Sequence, residues 1–103
     1  MVTREHAKGI VGQGWASLID EVYDQLSETD RVYDVKEKWG GLRISIWGSE
    51  RALDLAEAAE DKSFEVCEFC GRPGKPRRGA WIKTLCWRCL FKRKIKKMLR
   101  LGY

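Results

Sequence analysis

The chain has 103 residues, with 20 Lys or Arg, 15 Asp or Glu, one His, four Cys and five Trp, and a net charge of +5. That length allows one domain, or a small core with a metal-clipped appendage, burying only roughly 60–70% of its unfolded surface. No apolar run approaches the ~20 residues of a membrane span, and Met1-Val2-Thr3-Arg4-Glu5-His6 leads into no secretion-signal pattern, so the expected location is a reducing cytoplasm.

Residues 1–14 are weakly patterned. A short helical turn near Thr3–Lys8 fits, and Gly9, Gly12 and Gly14 argue against a continuous helix. Residues 15–28 give the clearest helix: Trp15, Leu18, Ile19, Val22, Tyr23 and Leu26 form one apolar stripe. Asp20, Glu21, Asp24, Gln25 and Glu28 take the opposite face. Residues 32–47 alternate as a β-hairpin. Tyr33, Val35, Glu37 and Trp39 share one face of the first strand, and Leu42, Ile44 and Ile46 share one face of the second. Gly40-Gly41 supplies the two-residue turn.

Residues 49–62 read as a helix capped by Ser49, with Ala52, Leu55, Ala56 and Ala59 as a small-residue stripe for close packing on the hairpin. Phe64 and Val66 suggest a short strand. Arg72 to Pro76 reads as a loop, and Arg78 to Leu85 as half of a second small hairpin. A helix from Trp87 to about Leu101 has Trp87, Phe91, Ile95 and Met98 on one apolar face. The fold class is therefore α+β: two helices packed on a β-hairpin, followed by a cysteine module and a basic helix.

Charge divides the chain in the same place. All fifteen acids lie in residues 1–68 with eight Lys or Arg, whereas residues 69–103 hold twelve Lys or Arg and no acid. We read an acidic α+β body over 1–66 and a metal module with its basic helix over 67–103, forming one compact unit.

The module begins with the most specific motif in the chain. Cys67, Cys70, Cys86 and Cys89 form C-x2-C-x15-C-x2-C, a spacing that supplies four soft ligands to a tetrahedral Zn2+. Disulfides are rare in a reducing compartment, a thioredoxin-like site would use one pair in a βαβ unit, and zinc is the usual occupant of an isolated four-thiolate site. Four cysteines close the coordination sphere, so the expected role of the metal is structural. Gly71 suits the left-handed turn of a metal knuckle. A helix carrying the last two ligands favours a treble clef over a zinc ribbon, in which both pairs sit on hairpins.

Arg72, Lys75, Arg77, Arg78, Arg88, Lys92, Arg93, Lys96, Lys97 and Arg100 are the candidate nucleic-acid contacts. Lys83 adds charge from the loop. The same cations could instead pack against the acidic body, contact a protein or meet an anionic membrane surface. Trp81 and Trp87 could stack on bases, with packing around the cysteine turns the favoured alternative. No enzyme is expected: His6 is the single histidine, and no catalytic motif accompanies it or Glu5.

One longer string resembles a known family. Val35-Lys36-Glu37-Lys38-Trp39-Gly40-Gly41-Leu42-Arg43, Ala56-Glu57, Ala58-Ala59-Glu60, Cys67-Glu68-Phe69-Cys70-Gly71-Arg72-Pro73-Gly74 and Gly79-Ala80-Trp81-Ile82-Lys83-Thr84-Leu85-Cys86 are similar to small, largely uncharacterised zinc-finger-like proteins of phages and bacterial mobile elements. The similarity covers roughly residues 15–89. Members often end the metal motif with cysteine and histidine, where this chain has Cys89, and the basic extension 90–103 is particular to this protein. The resemblance implies no activity. It does raise an alternative to nucleic-acid binding, a protein-binding adaptor or inhibitor of a host nucleoprotein machine.

Overall fold

The computed structural model describes residues 1–79 and 82–100, the last four of these by their backbone alone. Its elements are α1 (Arg4–Ile10), a 3-10 turn (Gln13–Trp15), α2 (Ala16–Gln25), β1 (Arg31–Lys38), β2 (Gly41–Trp47), α3 (Glu50–Ser63), β3 (Lys75–Arg77), β4 (Lys83–Leu85) and α4 (Trp87–Arg100). The fold is α+β. The strands form two antiparallel pairs, β1–β2 in the body and β3–β4 in the module.

One apolar cluster holds the body together. It takes Ala7 from α1, Leu18, Ile19 and Val22 from α2, Val32, Val35, Leu42, Ile44 and Ile46 from the hairpin, and Ala52 and Ala59 from α3. α3 lies on β2, α2 lies beside α3, and α1 closes against α2 and β1. Trp15 is fully buried and donates its Nε1 proton to the Val66 carbonyl at 2.9 Å, tying the start of α2 to the chain entering the module. The caps match the residue types. Thr3 accepts from the His6 N–H, and Ser49 accepts from the Ala52 N–H at 3.2 Å.

The structure departs from the sequence pattern at four places. α2 stops at Gln25 and does not reach residue 28: Leu26 turns extended, and Ser27 to Asp30 fold around the Asp30 carboxylate. Short polar side chains of this kind compete with helical backbone bonds. A second departure is the register shift between Val32 and Asp34, which buries Val32 and Val35 together and turns Tyr33 outward. A bulge of this sort breaks strict alternation, so Tyr33 and Val35 do not share a face.

The hairpin turn is also displaced by one residue. It is Trp39-Gly40, both at positive φ (57° and 82°), as a two-residue primed turn demands. Gly41 is the first residue of β2. A Cβ there would lie 2.5 Å from the Phe64 ring, so close approach accounts for its glycine. Lastly, Phe64 and Val66 form no strand. Val66 makes only an isolated bridge to Pro73, while Lys75–Arg77, inside the expected loop and its edge, pairs with Lys83–Leu85.

Candidate metal centre and basic helix

Cys67 and Cys70 stand on a knuckle. The Cys67 carbonyl accepts from the Gly71 N–H at 2.9 Å, and Gly71 sits at φ 80°, the left-handed geometry for which it was expected. The second pair comes from the start of α4. Cys86 precedes the helix and Cys89 lies in its first turn, with the Cys89 N–H donating to the Cys86 Sγ at 3.4 Å. Knuckle, small hairpin and ligand-bearing helix make a treble-clef arrangement, rather than two hairpin knuckles.

All four Sγ atoms lie within 4.8 Å of one another, and no disulfide joins them. A tetrahedral site with metal–sulfur distances of ~2.3 Å has sulfurs about 3.8 Å apart, so the cluster has the dimensions of one metal ion. The four thiols influence each other strongly. Burial opposes ionisation of Cys86, but the Cys89 N–H and the neighbouring thiols of Cys70, Cys89 and Cys67 outweigh it and bring Cys86 down to about 6. Burial, reinforced by Cys67, Cys86 and Cys70, pushes Cys89 up to about 12. A metal ion bound here would displace the protons of the thiols.

The knuckle is anchored to the body through backbone. Gly14 N–H donates to the Glu68 carbonyl at 2.9 Å, and a Cβ on Gly14 would fall 2.0 Å from the Cys67 carbonyl oxygen. The sequence pattern showed this glycine only as a helix breaker. Thr84 Oγ1 donates to the Gly40 carbonyl at 2.6 Å, joining β4 to the hairpin turn.

Lys83 completes the junction. Its ammonium lies 2.8 Å from Glu68 Oε1 and 3.2 Å from Glu37 Oε1. Burial lowers the Lys83 pKa, but the two carboxylates, Glu68 foremost, more than restore it and hold it above the ordinary lysine value. Glu68 is only 3% exposed, and its Oε2 has no hydrogen-bond partner among the described residues. Lys83, counted in sequence among the surface cations, is therefore an internal link between module and body.

Arg72, Lys75, Arg78, Arg88, Lys92, Arg93 and Lys96 are exposed. Arg77 is half-buried and donates from Nε to the Leu85 carbonyl at 3.1 Å. The side chains of Lys97, Met98 and Arg100, and all of Trp81 and Leu101, lie outside the described residues. Arg72, Arg88 and Lys92 meet around one open cleft of about 480 Å³, together with Trp87, Phe91, Cys70 and Cys89. Lys75, Arg77 and Arg78 are absent from its lining.

Trp87 does not pack around the cysteines. It is 67% exposed, Phe91 is 60% exposed, and the Arg88 guanidinium sits over the Trp87 ring at 5.4 Å. The inward neighbours of the cysteine cluster are Leu85 and Leu90. No helix among the described residues is long and apolar enough to cross a membrane. No protein-family model, curated protein or solved structure matches the chain.

Proposed function

We propose that this chain is a small non-enzymatic zinc protein of the cytoplasm that binds nucleic acid through the basic face of its C-terminal module. Zinc is the ion favoured by four thiolates in a closed tetrahedral set, where its role is to fold the module. The observation that carries nucleic-acid binding is the isolation of the cations of α4. Every ion pair among the described residues lies between Arg4 and Lys83, and none engages Arg88, Lys92, Arg93, Lys94 or Lys96. The acids of the body that do form ion pairs draw their partners from the body or from Lys83: Asp20 and Asp24 meet Arg4, Asp20 also meets Lys8, Asp34 meets Lys36, Glu21 meets Lys62, Glu60 meets Arg43, and Glu37 and Glu68 meet Lys83. Unpaired cations on a helix without a single acid are the electrostatic footprint of a phosphate-backbone binder.

Fluorescence anisotropy of the zinc-loaded protein with duplex DNA and single-stranded RNA across a salt series tests this reading. A log–log salt slope near about −4 to −6 is expected, corresponding to roughly five to seven phosphate contacts. Replacing Lys92, Arg93, Lys96 and Lys97 together by Glu should abolish binding. Absence of binding at low salt would sink the proposal.

A second reading follows from the other end of the hairpin. Tyr33, Ile46, Trp47, Gly48 and Leu53 line an open apolar groove, in which Trp47 is 81% exposed. Such a groove favours the adaptor or inhibitor alternative, with a host nucleoprotein as target if the family resemblance reflects a phage or mobile-element origin. Because Asp20, Glu21 and Asp24 are engaged within the body, Trp47→Ala and Leu53→Asp are its sharper tests. Loss of a co-purifying host complex in these variants alone would favour it.

A further inference from the structure

We propose that the cleft between the cysteine knuckle and α4 is a stacking site for unpaired bases, which makes single-stranded nucleic acid the ligand class. This rests on the nucleic-acid reading above and specifies its substrate.

The argument starts from Trp87 and Phe91. They are spaced i, i+4, so their rings stand about one helical turn, ~5.4 Å, apart on one face of α4. Both are more than half exposed, although a Lys- and Arg-rich helix has no structural need of bare aromatic rings. Arg72 approaches from the knuckle loop, and Arg88 and Lys92 from α4, so the rings border a cleft otherwise lined by these three cations and by Cys70 and Cys89. Aromatic faces beside a phosphate-tracking groove are the means by which proteins hold single strands irrespective of sequence.

Position adds to this. Trp87 and Arg88 lie between Cys86 and Cys89, where the Leu90 N–H donates to the Cys86 carbonyl at 3.0 Å and the Cys89 N–H to the Cys86 sulfur. The first turn of the helix is thereby fixed, which sets where the Trp87 side chain leaves the backbone before any base arrives. The Arg88 guanidinium already lies over Trp87, so a base taking the open face would complete a cation–ring–base stack.

Single strands fit better than the other anionic partners. In a duplex each base is already stacked on both sides, and cations alone would suffice to hold the backbone. A flat anionic bilayer makes no use of a concave site with one wall supplied by a separate loop. A second copy of the same module would be repelled, since residues 69–103 contain no acid.

The test compares three labelled probes of roughly 12 nucleotides, a length within the usual range of single-strand sites: a thymidine strand, the same strand with every base removed, and a duplex. The zinc-loaded full chain should bind the thymidine strand about ten-fold or more tightly than the abasic strand. Trp87→Ala and Phe91→Ala should each weaken thymidine-strand binding by about ten-fold and leave the abasic strand unchanged, with Trp87→Phe restoring most of the loss. Unchanged far-UV circular dichroism and metal content would show that these exposed positions do not report misfolding.

Equal affinity for the thymidine and abasic strands would overturn stacking while leaving backbone binding intact. Failure to bind any of the three probes would overturn the nucleic-acid reading and stacking with it. Binding to phosphatidylserine vesicles that depends on Trp87, with no strand binding, would also overturn the proposal and assign the ring to a lipid surface.

Discussion

Trp39 is held at φ 57° in a turn that asparagine or glycine would adopt more readily, and its side chain is 66% exposed. Trp39→Asn should therefore raise stability by about 1 kcal/mol, read as an increased urea midpoint at constant slope. A fall in midpoint would mean that the indole makes a stabilising contact. Asp30 is the opposite kind of residue, short, buried and fully used. It accepts from the Ser49 and Ser27 N–H groups and from both hydroxyls, and the backbone bonds, Ser49 first, hold its carboxyl down at about 2. A depressed folded-state pKa stabilises above the unfolded value of about 4, and this contribution disappears as pH falls toward the folded value. The difference in urea midpoint between the parent protein and Asp30→Ala should be constant above about pH 4.5 and shrink as pH falls below 4. A pH-independent difference would show that the carboxylate charge is not what Asp30 contributes.

At the scale of elements, the small hairpin is the part that joins module to body. Lys83 on β4 reaches Glu37 on β1 and Glu68 on the knuckle, so Lys83→Met would leave Glu68 buried without its counter-charge. A loss of roughly 2–4 kcal/mol is expected, toward the lower end of values for broken buried pairs because Lys83 is partly exposed. The double change Lys83→Met with Glu68→Gln should recover part of it, and no recovery would place the cost in packing instead. These elements differ in how plainly the sequence announced them. α3 was legible from Ser49 and its alanine stripe, and the cysteine knuckle from spacing and Gly71, because local rules determine both. The hairpin turn and the end of α2 were displaced by one and three residues, and the bulge at Val32 was not visible at all, since Phe64, Asp30 and the core decide them from elsewhere in the chain. The exposure of Trp87 was hidden for a related reason. Its helical spacing revealed an apolar stripe but not that the cysteine cluster would face Leu85 and Leu90 instead.

Across the whole molecule there are two apolar clusters of unequal size. The body has twelve buried members, whereas the module has Cys67, Leu85 and Cys86, flanked by Cys89 and Leu90. A cluster so small buries little apolar surface, so under the zinc reading a bound metal would supply much of the module's folding energy. Chelation should accordingly release the amides of residues 67–90 to hydrogen exchange before those of Leu18, Ile19, Leu42 and Ile44. Simultaneous release would mean that Gly14 and Lys83 bind the two parts into one cooperative unit. The long axis measures 54 Å against about 20 Å for the other two, and the fifteen acids and the cations of α4 belong to different parts of the chain. Such a molecule carries a permanent electric moment and is turned by a field before it touches anything. Near a polyanion the module should lead and the body trail, so fewer encounters arrive in the wrong orientation. The same moment should appear as alignment in transient electric birefringence at low salt, and it should fall when Lys92, Arg93 and Lys96 are neutralised.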